Sequence, residues 1–79
     1  MPTAYVLLNS TLGTEEEVIQ KLQEIESIKE VHVTFGTYDI LTKIETSTVE
    51  ALRDIITKKI RNFDNVRSTL TLMGIDGQG

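Results

Sequence analysis

The sequence predicts an α+β domain of order β-α-β-β-α-β, and three observations predict it. Two stretches carry apolar residues at helical spacing, each opened by a Thr/Ser and Glu cluster. Four short stretches are continuously apolar or alternate with period two. Only four residues, 36–39, separate the second and third of these, which is too few for a crossover and right for an antiparallel hairpin.

The first element is Ala4-Tyr5-Val6-Leu7-Leu8, an apolar run of strand length expected to be buried on both faces. Leu12-Gly13 then punctuates the chain. Thr14-Glu15-Glu16-Glu17 reads as a capping box, with the Thr14 hydroxyl and the Glu17 carboxylate satisfying each other's backbone N–H groups. Three carboxylates also suit the positive end of a helix. Val18, Ile19, Leu22 and Ile25 give the apolar stripe of a helix over 15–27.

Residues 28–35 alternate between Ile28, Val31, Val33, Phe35 and polar neighbours, a half-buried second strand. A turn at 36–39 leads into a third strand over 40–45. Ser47-Thr48-Val49-Glu50 reads as a second capping box, and Val49, Leu52, Ile56, Ile60 and Phe63 predict a helix over 48–62. Val66 to Met73 alternates as the last strand, and the tail 74–79, with three glycines, is expected to be a flexible end.

This duplicated β-α-β unit favours a ferredoxin-like arrangement: a four-stranded antiparallel sheet, both helices on one face, strands one and three central. The other sheet face is left open. With Val31, Val33 and Phe35 toward the helices, His32 and Thr34 point to it. Thr69, Thr71 and Met73 are expected there too, with Tyr5, Leu7 and Leu41. Such a mixed face suits sheet-on-sheet packing, so a homodimer through the open faces is expected.

Composition points the same way. A domain of 79 residues buries only roughly 60% of its unfolded surface and is marginal alone. There is no cysteine and one histidine, His32, which excludes disulfides, thiolate metal sites and histidine-rich metal sites. Self-association is the remaining device. A net charge of −4, from 8 basic and 12 acidic residues, argues against a nucleic-acid surface. The cluster Lys58, Lys59, Arg61 falls late in a helix, where it complements the dipole. No apolar run spans a membrane and no signal peptide is evident, so a cytoplasmic location is the default.

Catalytic patterns are thin. The carboxylate runs fit capping and solvated faces, and neither a phosphate-binding glycine loop nor a Gly-x-Ser-x-Gly elbow occurs. His32 and Tyr38 are the only acid–base candidates, and no cofactor is implied. The turn Gly36-Thr37-Tyr38-Asp39 has an ordinary reading, with Gly36 allowing positive φ and Asp39 bonding backbone. It has a functional reading as well: exposed backbone groups and a carboxylate match the carboxylate and ammonium of a free amino acid. Thr69 and Thr71, on one side of the last strand, offer hydroxyls, although threonine also simply favours strands.

Three segments carry a resemblance to a known family. "VTFGTYDILTKIE", "FDNVRSTLTLM" and "AYVLLNSTLGTEEEVIQKL" together resemble the effector-binding domain of the Lrp/AsnC regulators over residues 3–75. The resemblance implies the βαββαβ fold of dimeric α+β barrels, and dimers that assemble into rings. It implies amino-acid effectors bound between neighbouring dimers. Asp39 would hold the ammonium and the backbone near Gly36 the carboxylate, with Thr37 and Tyr38 in the same loop; Thr69, Thr71 and Ser68 would add hydrogen bonds. Full-length family members also carry a helix-turn-helix DNA reader. Here the chain enters its first strand within about three residues of Met1, so a stand-alone effector domain without direct DNA contact is expected, with full-length regulators as candidate partners. A structural module without a ligand is the competing expectation, and a small cofactor-free enzyme a third.

Overall fold

The computed structural model describes residues 1–73, and the expectation for the tail 74–79 lies outside them. Strand β1 spans Thr3–Ser10, helix α1 Glu15–Gln23, β2 Ile28–Val33, β3 Ile40–Glu45, α2 Val49–Asp54 with a π-helical continuation over Ile55–Ile60, and β4 Val66–Met73. The sheet runs β2-β3-β1-β4, every neighbour antiparallel, so β1 and β3 are central as expected.

One face of the sheet is covered. Ala4, Val6 and Leu8 of β1 and Ile40, Thr42 and Ile44 of β3 are buried, with Val18 and Leu22 of α1 and Leu52, Ile56 and Ile60 of the second helix packed in the same core. Both central strands alternate with period two, because only every second residue reaches the helices. β1 is therefore not enclosed on both sides within one protomer: Tyr5 is 39% exposed. The one polar residue at the centre, Thr42, is satisfied by donating to the Val6 carbonyl at 3.1 Å.

The register corrects the expected face of β4. Leu8 pairs with Thr69, Val6 with Thr71 and Ala4 with Met73, so these three residues lie on the helix side. Ser68, Leu70 and Leu72, opposite Asn9, Leu7 and Tyr5, take the open face instead. The cause is a bulge. Asn9 pairs with Ser68 but Ser10 pairs with Val66, which leaves Arg67 as the extra residue. Val66 packs against the core, and the extra residue then inverts the alternation for the rest of the strand.

The capping boxes also differ from expectation. Thr14 makes no side-chain cap; its hydroxyl donates to the Thr11 carbonyl at 2.6 Å, and the Glu17 carboxylate accepts from Asn65 Nδ2 at 3.0 Å. Local backbone competes for the hydroxyl and wins. On the second helix the cap is Thr48 rather than Ser47, with its Oγ1 accepting from the Ala51 N–H at 3.0 Å. α1 ends at Gln23, short of 27, where Glu24 and Ile25 tighten into bonds to Lys21 and Leu22. The expected continuous helix over 48–62 instead widens after Asp54, with Arg61 N–H reaching back five residues to the Ile56 carbonyl.

Candidate ligand-binding site

The candidate site lies at the end of the sheet where β1 finishes and β3 and β4 begin. Asp39, the last residue of the turn, is fixed there by both its backbone and its side chain. Its N–H donates to the Leu8 carbonyl at 3.0 Å and to Asn9 Oδ1 at 3.1 Å, and its Oδ2 accepts from the Ser10 N–H at 3.2 Å. The turn closes behind it: Thr34 N–H donates to the Asp39 carbonyl at 2.8 Å and Thr34 Oγ1 to the Tyr38 carbonyl at 2.6 Å. These bonds end β2 at Val33 rather than Phe35. Gly36 has φ +128°, the positive value expected of the turn.

Asn9 joins the turn to β4. Because Asp39 N–H can only donate, Asn9 must present its oxygen there and its NH₂ to Ser68 Oγ, 3.1 Å away. Ser68 therefore accepts from Asn9 and keeps its own proton to donate. Around this junction Asn9, Ser10, Leu12, Glu15, Asp39, Arg67 and Ser68 line a cleft of about 610 Å³. Two acidic residues and one arginine are among those that line it, and among the described residues no ion pair joins Arg67 to Glu15 or Asp39. Ser10 Oγ is buried in the cleft wall without a hydrogen-bond partner.

Of the residues expected from sequence, the cleft gathers Asp39 and Ser68. Gly36, Thr37 and Tyr38 do not line it; Gly36 and Thr37 sit exposed at the tip of the turn. Thr69 opens on a smaller hollow of about 260 Å³ with Arg61, Val66, Arg67 and Ser68. Thr71 lies on the helix side, its hydroxyl buried and unpartnered. Asn9, Ser10, Leu12, Glu15 and Arg67 were not singled out by sequence reasoning. Glu15 carried an adequate explanation as a helix-start residue, and Arg67 is placed by a bulge that no local pattern announces.

His32 stands apart on the open sheet face, where it bonds Glu30 Oε1 at 3.0 Å, a partner not evident from spacing. That bond, chiefly, and the nearby Lys43 ammonium hold the Glu30 carboxyl below its usual range. Tyr5 first, then Glu45 and Glu30, push the Lys43 ammonium above its own. Among the described residues no group of metal-ligating side chains could hold an ion, and no helix is long and apolar enough to cross a membrane.

With this geometry in place, the model of the Lrp/AsnC ligand binding domain matches residues 3–76. The chain belongs to the Lrp/AsnC ligand-binding domain family. This Lrp/AsnC domain is 35% identical over 60 residues to the regulatory protein AsnC of Haemophilus influenzae, covering 76% of this chain and 40% of that one. It is similar to the crystal structure of FFRP-DM1, at 39% identity and a TM-score of 0.92 over 95% of this chain and all of that one. A hypothetical protein of Pyrococcus horikoshii gives 39% identity and a TM-score of 0.90, covering 95% of this chain and 90% of that one. The chain spans about half or less of the length of the curated relatives it matches. The relatives are transcription regulators, and the domain is a regulatory ligand-binding domain rather than an enzyme.

Proposed function

We propose that this Lrp/AsnC domain binds a free amino acid in the cleft beside Asp39, and that occupancy modulates its assembly with itself or with full-length Lrp/AsnC regulators. The observation that carries the reading is the convergence of the Asp39 carboxylate, the Asn9 amide and the Ser68 hydroxyl on one cleft that also holds charges of both signs. A polar, charge-balanced cleft suits a zwitterion. A transcription regulator of Neisseria meningitidis in complex with L-Met has a TM-score of 0.86, but at 9% identity that likeness is of the fold alone. The domain acts as the sensing part and does not itself contact DNA; its acidic charge supports this.

Self-association belongs to the same proposal. Tyr5, Leu7, Leu41, Leu70 and Leu72 form the middle of the open face, and packing two such faces together would give a homodimer from which rings of dimers are built. Thr69 and the turn residues Gly36, Thr37 and Tyr38 line no part of the cleft in one protomer, so any contact they make with ligand is with one held by a neighbouring copy; the Thr71 hydroxyl, buried on the helix side, reaches neither.

A second reading has an observation of its own. Asp39 Oδ2 already accepts from Ser10 N–H, which is a purely structural role for the carboxylate. Asp39→Asn separates the two, because an amide oxygen can keep the Ser10 bond while the charge is lost. Thermal unfolding against each proteinogenic L-amino acid should show a selective rise for the native protein. A ligand at about 100 times its dissociation constant adds roughly 2.7 kcal/mol, and Asn at position 39 should remove most of that gain. No rise with any amino acid returns the turn to a structural hairpin.

A further inference from the structure

The open sheet face carries charge beside its leucines. Lys43 on β3 lies across from Tyr5 on β1 and from Glu30 on β2, and His32 lies across from Leu41, so all of them share the face that the helices leave bare. Their contacts run through one another. Glu30 Oε1 meets His32 Nε2 at 3.0 Å, Glu30 Oε2 stands 3.6 Å from the Lys43 ammonium, and that ammonium stands 3.6 Å from Glu45 Oε1. With His32 neutral, the cluster holds one carboxylate in excess of its single ammonium. The other charged groups nearby are engaged elsewhere: Lys29 Nζ donates to the Glu26 carbonyl, and Asp39, at the far end of β3, accepts from Ser10 N–H. β4 brings only Ser68, Leu70 and Leu72 to this face. In one protomer the His32 and Glu30 side chains are 57% and 50% exposed, so solvent screens the excess.

We infer that this cluster belongs to the contact with a second copy of the chain, and that His32 takes up a proton as the two faces close, so that assembly tightens as pH falls. The inference rests on the open-face homodimer proposed above. Tyr5 joins the cluster to the leucines, since it pairs with Lys43 on one side and Leu72 on the other. Two faces packed over Leu7, Leu41 and Leu72 therefore also cover Lys43 and its partners. Covering them removes the screening water, and a two-fold contact brings two copies of the same negative excess together. Imidazole is the one side chain of the cluster whose ordinary range of charge change lies between about pH 5 and 8. Protonated, it balances the second carboxylate, and its bond to Glu30 becomes charge-assisted. The Glu30 carboxyl is suited to that partner, because the His32 bond first, and then Lys43, hold it below the usual range and so ionised. A proton held more tightly in the dimer than in the protomer stabilises the dimer at low pH, and the gain is lost as pH rises through the imidazole range.

Sedimentation velocity over a concentration series gives the dissociation constant of the full chain from about pH 6 to about pH 8, the range of imidazole titration. The native protein should dimerise about 10- to 100-fold more tightly at the low end, since a tenfold gain in proton affinity at each of two imidazoles multiplies. His32→Gln, which keeps a donor for Glu30 without the charge, should hold the weaker value throughout. His32→Lys, charged throughout, should hold the tighter one. Glu30→Gln restores the balance without a proton and should be tight at the high end as well. The chain's α-amino group also belongs to a class that titrates in this range, but every variant keeps it, so it cannot account for a dependence that His32→Gln abolishes. A native constant that does not move with pH, or a dependence that His32→Gln retains, overturns this inference and leaves the homodimer standing. A chain that stays monomeric at every pH and concentration overturns both.

Discussion

Replacing Leu70 by aspartate tests the open sheet face directly. Leu70 is 42% exposed in the single protomer, at the middle of β4 and paired with Leu7. Fully burying a leucine contributes about 1.5–3 kcal/mol, so the fraction still exposed corresponds to about 1 kcal/mol. In a two-fold dimer the residue occurs in both copies, which makes the loss about 2 kcal/mol, or about 30-fold in the dissociation constant. Aspartate adds the desolvation of two carboxylates, several kcal/mol each if they stay buried, so dissociation should be essentially complete at micromolar protein. Sedimentation velocity over a concentration series reads the result as a halving of mass. Val49→Asp is the control: Val49 is 45% exposed, but it opens α2 on the helix side, where an acid suits the dipole. An unaltered mass for Leu70→Asp would refute the reasoning. Dissociation by Thr69→Asp with Leu70→Asp intact would mean that the faces of β4 are the reverse of those described.

Two further outcomes follow from local geometry. Thr48→Ala removes the hydroxyl that caps α2 and should cost about 1 kcal/mol, or roughly 4–8 °C in Tm for a domain of this size; Thr14→Ala, whose hydroxyl serves a turn, should cost less, and equal losses in paired melts would mean that Thr14 caps after all. The Glu30 carboxyl, held low first by its bond to His32, contributes stability above the ordinary carboxylate range and loses it as pH falls through its depressed folded value, so its NMR titration midpoint should lie below that of a free glutamate and rise in His32→Ala. A midpoint at the ordinary value in both proteins would remove this pairing.

The element order was legible because it rests on periodicity, which the core uses directly: Val18 and Leu22, or Leu52, Ile56 and Ile60, are buried where the stripe predicts them. The hairpin was legible from Gly36, whose positive φ is a local requirement, whereas the Asp39 side chain bonds the Ser10 N–H on β1 rather than nearby backbone. What failed was anything set by register. Thr69 and Thr71 were assigned to the open face by carrying one alternation through β4, and Arg67 interrupts that alternation without any change in composition. Thr14 was assigned a cap that the Thr11 carbonyl diverts. The candidate site was half legible for the same reason. Asp39 announces itself within the turn, but Asn9 and Arg67 share a cleft with it only because β1 lies between β3 and β4.

The bulge therefore ties the two halves of the proposed function together. Without an extra residue, the phase set by Val66 against Ser10 would continue, and Leu70 and Leu72 would point toward the helices. With it, both leucines join Leu7 and Leu41 on the open face, and the same displaced residue, Arg67, borders the cleft. Asn9 stands at the seam, on the open face two residues from Leu7, bonded to Asp39 on one side and Ser68 on the other. A ligand can shift assembly only by interacting differently with the assembled and separate states. In this fold the groups that would feel the ligand and the surface that would feel the partner are carried by the same three neighbouring strands, β3, β1 and β4, so such a difference needs no long path between them.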